Sequence, residues 1–313
     1  MKILLLQPTL QNLRFEQRHI NEIKNVCKDC DVVIRDAVEK DADIIACLTR
    51  LDVKEMKNLK WIHLLSAGVD RYLTEELVNS SILVTNSSGV HAIPIAEHAI
   101  GMIIALDRKL HKAIVNQTKR KWNREEFQDV KEMYGKTIGI IGLGSIGTRI
   151  AEIAKCLGLK VLAVKKEPAK ATLADDIYSL EGLDKLLTKS DYVVICLPLT
   201  PETKRLFDES RFRKMKPSAY LVNISRGEVV DETALIEALK KKTIDGACVD
   251  VFEKEPLPES SELYDLENVI ITPHVAGWTP EYMNRAVQIF CENLRAFLKG
   301  ERMPTLVDKG KGY

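Results

Sequence analysis

The sequence lacks an excess of charge of either sign. Its 313 residues carry 46 Lys and Arg against 45 Asp and Glu, which leaves a formal net charge of +1. A protein that binds nucleic acid through its phosphates needs a strong basic field, and this balanced chain has neither that nor an acidic tail. We therefore expect no nucleic-acid partner, and we expect small molecules and a second copy of the chain as partners.

Long apolar runs are also absent. The longest, at 3–6 and 99–106, fall well short of the ~20 residues that a transmembrane helix needs. The N-terminal run stops at Gln7 and Pro8, before it reaches the ~7–15 apolar residues of a secretory signal. We expect no membrane contact and a cytoplasmic location.

Cysteine is sparse and odd in number. Seven cysteines lie scattered, mostly inside apolar runs, which indicates reduced, buried thiols. Cys27 and Cys30 have the C-x-x-C spacing of a metal or redox site, but no second pair or His cluster accompanies them. The spacing favours neither role, and we predict no metal site.

What the chain does have is a regular alternation of short apolar strands and amphipathic stretches, which is typical of parallel α/β sheets. Its length and its 45% hydrophobic and 29% charged residues suit a soluble protein with two cores. We predict strands at 3–7, 32–34, 44–47, 61–65 and 83–85, then at 138–141, 161–164, 192–197, 220–223, 247–249 and 269–272, with helices at 13–27, 94–108, 233–242 and 280–299. The second set of strands forms a domain at 93–280 that is inserted into a domain made of 1–92 and 281–313.

A glycine-rich turn follows the first strand of the inserted domain. Gly142, Gly144 and Gly147 form G-x-G-x-x-G between a strand and a helix that ends at Gly158, and a second strand completes a βαβ unit. This context indicates a dinucleotide site, with the amides of Ser145 and Ile146 facing the pyrophosphate. Three glycines in a turn can also be purely structural, but a structural role does not explain their spacing.

Six positions with polar or special backbone chemistry follow predicted strands of this domain. Because ligands bind at the carboxyl ends of the strands in doubly wound sheets, we expect these positions to share one edge. They are Gly142, Lys165, Pro198, Arg226, Asp250 and His274.

The end of the second strand bears on the choice of cofactor. A site that prefers NAD usually carries an acidic residue there, which binds the ribose 2′-hydroxyl, whereas this chain has Lys165 and Lys166. An ammonium attracts a 2′-phosphate, so we favour NADP(H) over NAD(H). The alternative is a solvated pair of lysines in a surface loop.

Arg226 and His274 are the candidate catalytic side chains. A guanidinium matches a carboxylate with two parallel hydrogen bonds, and Gly227 is expected to free the backbone for a turn after Arg226. Imidazole exchanges protons near neutral pH, which suits a general acid or base. Each residue has a plain alternative, a surface ion pair for Arg226 and a structural role for His274.

Together these residues resemble the D-isomer-specific 2-hydroxyacid dehydrogenase family. The resemblance extends over nearly the whole chain in order and spacing, through residues 65–70, 142–147, 197–203, 223–227, 250–256 and 273–274. It implies two Rossmann-like domains of α/β class, the cofactor domain being inserted into a flavodoxin-like substrate domain. It also implies a homodimer built on the helix at 94–108, whose apolar residues exceed what one packed face needs.

The resemblance assigns roles by position. It implies that Glu255, rather than Glu253, pairs with His274 and favours the imidazolium, and that Arg226 holds the carboxylate and carbonyl of the substrate. The amides of Ala67, Gly68 and Val69 line the carboxylate site, and the apolar Leu48 beside it argues against a phosphorylated substrate. The cofactor contacts that it implies are Leu197, Pro198, Thr203, Ile224, Ser225, Asp250 at the carboxamide, His274, Ala276 and Gly277.

We therefore predict an oxidoreductase that transfers a hydride between NAD(P)H and a small 2-keto acid to give the D-2-hydroxy acid. Glyoxylate, hydroxypyruvate and branched or aromatic keto acids are the substrates that the resemblance implies. Two alternatives stay open, an NAD(H)-sensing protein of the corepressor type and a formate or phosphite dehydrogenase. The formate enzymes of the family have glutamine where this chain has Glu255.

Overall fold

The structure is a computed structural model that describes residues 1–9, 13–69, 71–165 and 173–310. The chain forms two compact units, Met1–His91 with Trp278–Tyr313, and Ala92–Gly277. These limits lie within three residues of the domain boundaries expected at 92 and 280. In the part of the chain that is described, no helix has both the length and the apolar character needed to cross a membrane.

Unit 1, which comprises Met1–His91 and Trp278–Tyr313, contains a parallel sheet of five strands in the order β2-β1-β3-β4-β5. The order reverses between β1 and β3, as in flavodoxin-like sheets. Its elements are β1 (Lys2–Leu6), α1 (Gln17–Val26), β2 (Asp31–Arg35), β3 (Ile44–Cys47), β4 (Trp61–Leu64), α2 (Glu75–Val78), β5 (Leu83–Asn86) and α9 (Tyr282–Lys299).

The core of unit 1 depends on α9. Buried residues of this helix pack against β1, β3 and β4, and the ring of Phe290 stacks on Trp61 with centroids 5.0 Å apart. The same strands also bury polar groups, because His63 on β4 is fully buried between the hydroxyls of Thr85 and Ser87, at 2.7 and 3.1 Å. Unit 1 therefore combines an apolar helix contact with a fully enclosed polar cluster.

The C-x-x-C segment corrects one expectation. Cys27 and Cys30 form a disulfide, with their Cα atoms 5.4 Å apart, so these two cysteines are not the reduced thiols that the odd count suggested. The physical reason is local, because the chain turns tightly between the end of α1 and the start of β2 and brings the two Cα atoms within disulfide range.

Unit 2, Ala92–Gly277, contains a parallel sheet of seven strands in the order β12-β11-β10-β9-β6-β7-β8. This is the Rossmann order with one strand added, and it reverses between β6 and β9. Its elements are α3 (Ala92–Asp107), α4 (Leu110–Thr118), β6 (Thr137–Ile141), α5 (Ser145–Cys156), β7 (Lys160–Val164), β8 (Asp176–Tyr178), α6 (Leu183–Lys189), β9 (Tyr192–Ile195), α7 (Glu209–Phe212), β10 (Tyr220–Asn223), α8 (Glu232–Lys240), β11 (Gly246–Val249) and β12 (Val269–Ile271), with 3₁₀ turns at Glu125–Phe127, Leu180–Gly182, Gly227–Val229 and Glu262–Asp265.

The helix α3 packs inside unit 2. Its apolar residues join the buried cluster that includes α5 and the sheet, so the reason given for a dimer on this helix is wrong. The apolar surplus instead lies on α4, where Leu110, Ile114 and Val115 are exposed. The exposed apolar surface therefore lies on α4, and not on α3 as expected.

Candidate active site

The glycine turn of unit 2 has three positions with three different constraints. Gly142 has φ +103°, and a Cβ there would lie 2.8 Å from the Cys196 carbonyl oxygen. A Cβ on Gly147 would lie 2.2 Å from the carbonyl oxygen of Gly142, whereas a Cβ on Gly144 would meet nothing within 4 Å. The first and third glycines therefore permit the turn and the close packing of α5 on β6, and the second leaves open space above the backbone.

That open space lies at the start of α5. Gly144 is the N-cap residue and supplies no side chain to the first turn, whose N–H groups have no acceptor within a helix. Ser145 and Ile146 are the first two residues of this 12-residue helix. N–H groups without an acceptor among the described residues, beside open space at Gly144, fit the pyrophosphate of a dinucleotide.

Lys165 directly follows β7, and its backbone N–H donates to the Tyr178 carbonyl oxygen at 3.0 Å. The side chain forms no ion pair with any residue among the described ranges. Lys166, the other half of the predicted pair, lies outside the described residues.

The loop after β9 is closed by Thr203. Its buried hydroxyl donates to the Pro198 carbonyl oxygen at 2.7 Å and accepts from the Thr200 N–H at 2.8 Å. Leu197 is half-buried at the start of this loop, and Pro198 is exposed. The turn thus presents its backbone beside the carboxyl end of β9, next to the glycine turn.

Arg226 follows β10 and is held by a buried amide. The Asn223 side-chain oxygen accepts from the Ser225 N–H and hydroxyl at 3.2 and 3.0 Å, and its Nδ2 donates to the Arg226 carbonyl oxygen at 3.1 Å. The guanidinium is exposed and donates only to the Ser225 carbonyl oxygen, at 2.7 Å, among the described residues. Its remaining N–H donors are free for a ligand.

Gly227 differs from what the sequence suggested. Its φ is not in the left-handed region, and a Cβ there would lie 1.9 Å from the Phe252 carbonyl carbon. The glycine is therefore needed for close packing of two backbone segments, the one after β10 and the one after β11, and not for a turn. This contact brings the Arg226 segment against the segment that leads to Glu255.

Glu255 and His274 are in direct contact. Glu255 Oε2 and His274 Nδ1 are 2.7 Å apart, and Glu255 Oε1 accepts from the Phe252 N–H at 3.0 Å. The side chains are 36% and 51% exposed, so a ligand can reach them. His274 Nε2 has no partner among the described residues, which leaves that nitrogen available to a substrate.

Electrostatics favour the carboxylate form of Glu255. Partial burial by itself would raise the pKa of Glu255, but the hydrogen bonds from His274 and Phe252 and the charges of His274 and Arg226 bring it below its ordinary value of 4.5. Arg226 thus acts on the pair through its charge, without a hydrogen bond to either member. The Glu255 carboxylate is therefore a strong acceptor for a hydrogen bond from His274 Nδ1.

Asp250 organises the loop that carries His274. Its carbonyl oxygen accepts from the His274 N–H at 2.9 Å, and its two carboxylate oxygens accept from the Val275 and Ala276 N–H groups, each at 3.0 Å. The residue is only 2% exposed, and it fixes three successive amides. His274 itself has φ +55°, a conformation that non-glycine residues adopt at a cost.

Several predicted cofactor contacts are less accessible than the loop. Ile224, Ser225 and Ala276 are buried in unit 2, and Gly277 is half-buried. Their side chains therefore offer little to a ligand, and any contact with a cofactor would come mainly from the backbone.

In unit 1, the turn after β4 presents unpaired amides. The Ala67, Gly68 and Val69 N–H groups have no acceptor among the described residues. The turn itself is fixed, since the Ser66 hydroxyl donates to the Gly68 carbonyl oxygen at 2.6 Å and Asn86 Nδ2 donates to that of Ala67 at 2.7 Å. Leu48, in contrast, is half-buried against the core of the unit.

Three residues of unit 2 belong to this arrangement although sequence reasoning did not select them. Asn223 fixes the Arg226 segment, Thr272 donates to Asp250, and His98 contacts Thr272. A buried polar residue at the end of an apolar strand was the available signal for Asn223. The sequence carries no comparable signal for the link between α3 and β12, since it depends on tertiary packing.

Fold and site together define a dinucleotide-dependent oxidoreductase with an Arg, Glu and His group at the same edge of the parallel sheet as the glycine turn. Comparison with known proteins identifies the family. Residues 100–276 match the profile of the D-isomer specific 2-hydroxyacid dehydrogenase, NAD binding domain. The chain is 39% identical to a glyoxylate reductase of Thermofilum pendens over 90% of its own length and 89% of that protein.

Solved structures agree with this result. A D-isomer specific 2-hydroxyacid dehydrogenase from Xanthobacter autotrophicus Py2, in complex with NADPH and MES, has a TM-score of 0.79 at 28% identity and covers 100% of this chain and 99% of its own. The NAD-complexed enzyme of Lactobacillus delbrueckii ssp. bulgaricus has a TM-score of 0.80 at 26% identity, covering 98% and 100%. The chain belongs to the D-isomer specific 2-hydroxyacid dehydrogenase family and is an NAD(P)-dependent oxidoreductase that acts on CH–OH groups.

Proposed function

We propose that the protein reduces glyoxylate or hydroxypyruvate to the D-2-hydroxy acid, with NADPH as the preferred reductant. The observation that carries the chemistry is the Glu255–His274 pair, 2.7 Å apart and open to a ligand. The name of the Thermofilum pendens relative supports glyoxylate as a substrate. Leu48 supports a substrate without phosphate, since a phosphate would need a cationic side chain and leucine supplies none.

Each residue has a defined task in the proposed reaction. The glycine turn and the first amides of α5 would hold the pyrophosphate of the cofactor, whose reduced nicotinamide would supply the hydride to the carbonyl carbon. His274 donates a proton from Nε2 to the carbonyl oxygen, as a general acid, while Glu255 stabilises the imidazolium through Nδ1. Arg226 binds the carboxylate and polarises the carbonyl.

The turn after β4 in unit 1 is a second group of donors that fits an anion. Amide N–H groups without an acceptor, such as those of Ala67, Gly68 and Val69, form the kind of concave donor group that binds anions. We propose that they bind the substrate carboxylate. Asp250 accepts hydrogen bonds on both carboxylate oxygens, and its proposed contact with the carboxamide would use a remaining lone pair.

The proposed preference for NADPH depends on Lys165. Its ammonium is not paired with any described carboxylate, and it follows the strand whose end reads the ribose 2′ position in doubly wound sheets. Relatives complexed with NADPH and with NAD share this fold, so the fold alone does not set the preference.

We further propose a homodimer. The exposed apolar residues on α4, together with Trp122 at 93% exposure shortly after this helix, provide a surface whose burial would stabilise an association. A second copy of the chain fits the balanced net charge, since neither copy would repel the other strongly.

A turnover assay tests the proposed function directly. The purified protein is mixed with NADPH or NADH and with glyoxylate, hydroxypyruvate, 3-phosphohydroxypyruvate, or branched and aromatic keto acids, and with NAD(P)⁺ and formate in the reverse direction. We expect the highest kcat/KM for glyoxylate or hydroxypyruvate with NADPH. Tight NAD(H) binding with no turnover of any keto acid would support a sensing protein instead, and oxidation of formate would support the other alternative.

A further inference from the structure

The loop that carries His274 is anchored to a helix that takes no part in the proposed chemistry. The anchor begins at Asp250, whose buried carboxylate accepts from two loop amides. It continues at Thr272, whose hydroxyl donates to Asp250 Oδ1 at 2.5 Å. Thr272 directly follows β12, so the chain is fixed two residues before His274 and again just after it.

His98 on α3 is the next member of this chain of contacts. Its Nε2 lies 3.0 Å from the Thr272 hydroxyl oxygen and 3.9 Å from Asp250 Oδ1. The Thr272 hydroxyl has a single hydrogen, and the short contact assigns that hydrogen to the carboxylate. His98 Nε2 must therefore carry a hydrogen and donate it to the Thr272 oxygen.

The direction of these bonds matters for the carboxylate. A hydroxyl that accepts a hydrogen bond becomes a better donor, because successive bonds polarise one another. His98 thus strengthens the bond from Thr272 to Asp250, and Asp250 in turn holds the amides of His274, Val275 and Ala276. The left-handed backbone of His274, φ +55°, persists only if its surroundings fix it.

We infer that His98 is a positioning residue for His274, acting through Thr272 and Asp250. This inference rests on the proposed function, since it assumes that His274 is the general acid. In the part of the chain that is described, His98 forms no hydrogen bond or ion pair with His274, Glu255 or Arg226, so it has no part in the chemistry itself. Its effect is on how often the imidazole occupies the productive orientation.

The test compares three variants. His98→Phe keeps a ring of similar size but removes the donor, His98→Gln keeps a donor, and His111→Phe is the matched control. His111 lies on α4 and is partly buried, and its ring hydrogen bonds within the described ranges go to two backbone carbonyl oxygens, at 3.3 and 3.2 Å. We expect His98→Phe to lower kcat by about 10- to 100-fold, as misplacement of a catalytic group does. We expect KM and cofactor Kd to change by less than about threefold.

His98→Gln should retain a kcat within about threefold of the wild type, because glutamine keeps a hydrogen-bond donor. His111→Phe should not reduce kcat.

A double-variant cycle sharpens the test. Thr272→Val should lower kcat to a similar extent, and His98→Phe with Thr272→Val should lose no more than either change alone, because the two residues act in series. Additive losses, or a kcat of His98→Phe within about twofold of the wild type, would overturn the inference.

Hydrogen exchange gives a readout that does not need turnover. In His98→Phe and Thr272→Val, the amides of 274–276 should exchange about tenfold faster than in the wild type, while those of β10 stay unchanged. Unchanged exchange at 274–276 would contradict the inference even in an inactive protein. A wild-type protein that reduces no keto acid would instead contradict the proposed function, so the two failures can be told apart.

Discussion

His274 is the single residue on which the proposed chemistry depends most. We predict that His274→Ala lowers kcat by about 10²- to 10⁴-fold, the range expected for loss of a general acid. Cofactor affinity should change little, since the proposed pyrophosphate contacts come from the start of α5. Steady-state kinetics with a fluorescence titration of NADPH checks both. A comparable loss of cofactor binding would show that the residue is structural.

The second prediction at the residue scale concerns Lys165 and the preference for NADPH over NADH. An exposed contact between ammonium and phosphate offers about 1–4 kcal/mol before desolvation and ordering reduce it, and about 1.4 kcal/mol is one decade of preference. Lys165→Asp should therefore weaken NADPH and spare or improve NADH. The wild-type preference should also shrink as salt rises.

The measurement is kcat/KM for both cofactors, with Lys160→Asp as a matched control at the other end of β7. Lys160 begins the strand and lies near Asp176, far along the strand from the nucleotide end. An equal wild-type kcat/KM for the two cofactors, or a preference for NADH, would make Lys165 only a solvated side chain.

The sequence could single out candidate catalytic residues, but not the contacts that hold them in place. Arg226 and His274 stand out because each follows an apolar strand with an unusual side chain for a loop. Two features could not be predicted from the sequence, namely the hydrogen bonds from the loop amides to Asp250 and the close packing at Gly227. Both depend on contacts between segments about 25 residues apart. Local sequence does not encode such contacts.

At the scale of elements, β4 and β5 enclose the ionisable imidazole of His63. Burial of His63 lowers its pKa from 6.5 to about 3. The unfolded chain therefore takes up a proton below pH ~6.5 that the folded state refuses until about pH 3. Because the unfolded state binds more protons in this window, stability must fall as the pH falls through it.

We predict that this group alone contributes a slope of up to about 1.4 kcal/mol per pH unit to the free energy of unfolding between these limits. Urea unfolding at pH 7 and at pH 4.5 measures it. His63→Gln should lower stability at pH 7 but flatten the slope, because it removes the titrating group. A slope equal to that of the wild type would contradict the assignment.

Element limits show what periodicity can and cannot determine. The strands at 44–47 and 220–223 were predicted with their observed limits, because short, mainly apolar runs are typical of buried strands. The helix α4 was missed. Lys109 adopts a left-handed backbone, φ +53°, which separates α4 from α3 without a glycine or proline to mark the break. The edge strand β8 was missed because its three residues are only partly buried.

At the scale of the whole molecule, the proposed homodimer is the main prediction. We expect a mass near twice the 35.3 kDa of one chain by light scattering at micromolar concentration. Ile114→Asp should shift it toward the monomer, because the residue is 61% exposed on α4 and a charge there opposes burial in an interface. Leu298→Asp on α9 is the control, since it changes an exposed leucine on another helix. A monomeric wild type would refute the proposal.

Most of the architecture could be predicted from the sequence. Two sets of parallel strands and an inserted second domain follow from the order of apolar runs, and the structure shows five and seven parallel strands. The pairing order could not be derived from periodicity alone, because each strand pattern is compatible with several neighbours. The resemblance to a family supplied the Rossmann-like and flavodoxin-like types of sheet, and the structure supplied the strand order.

The dependence of unit 1 on α9 has a consequence for biosynthesis. Unit 2 is continuous, Ala92–Gly277, and can complete its fold while the ribosome is still translating. The strands β1 to β5 leave the exit tunnel before unit 2, yet their apolar face stays uncovered until Phe290 and its neighbours on α9 have emerged after unit 2. Unit 1 thus starts to emerge before unit 2 and is finished after it, and its uncovered strands are what chaperones would have to shield.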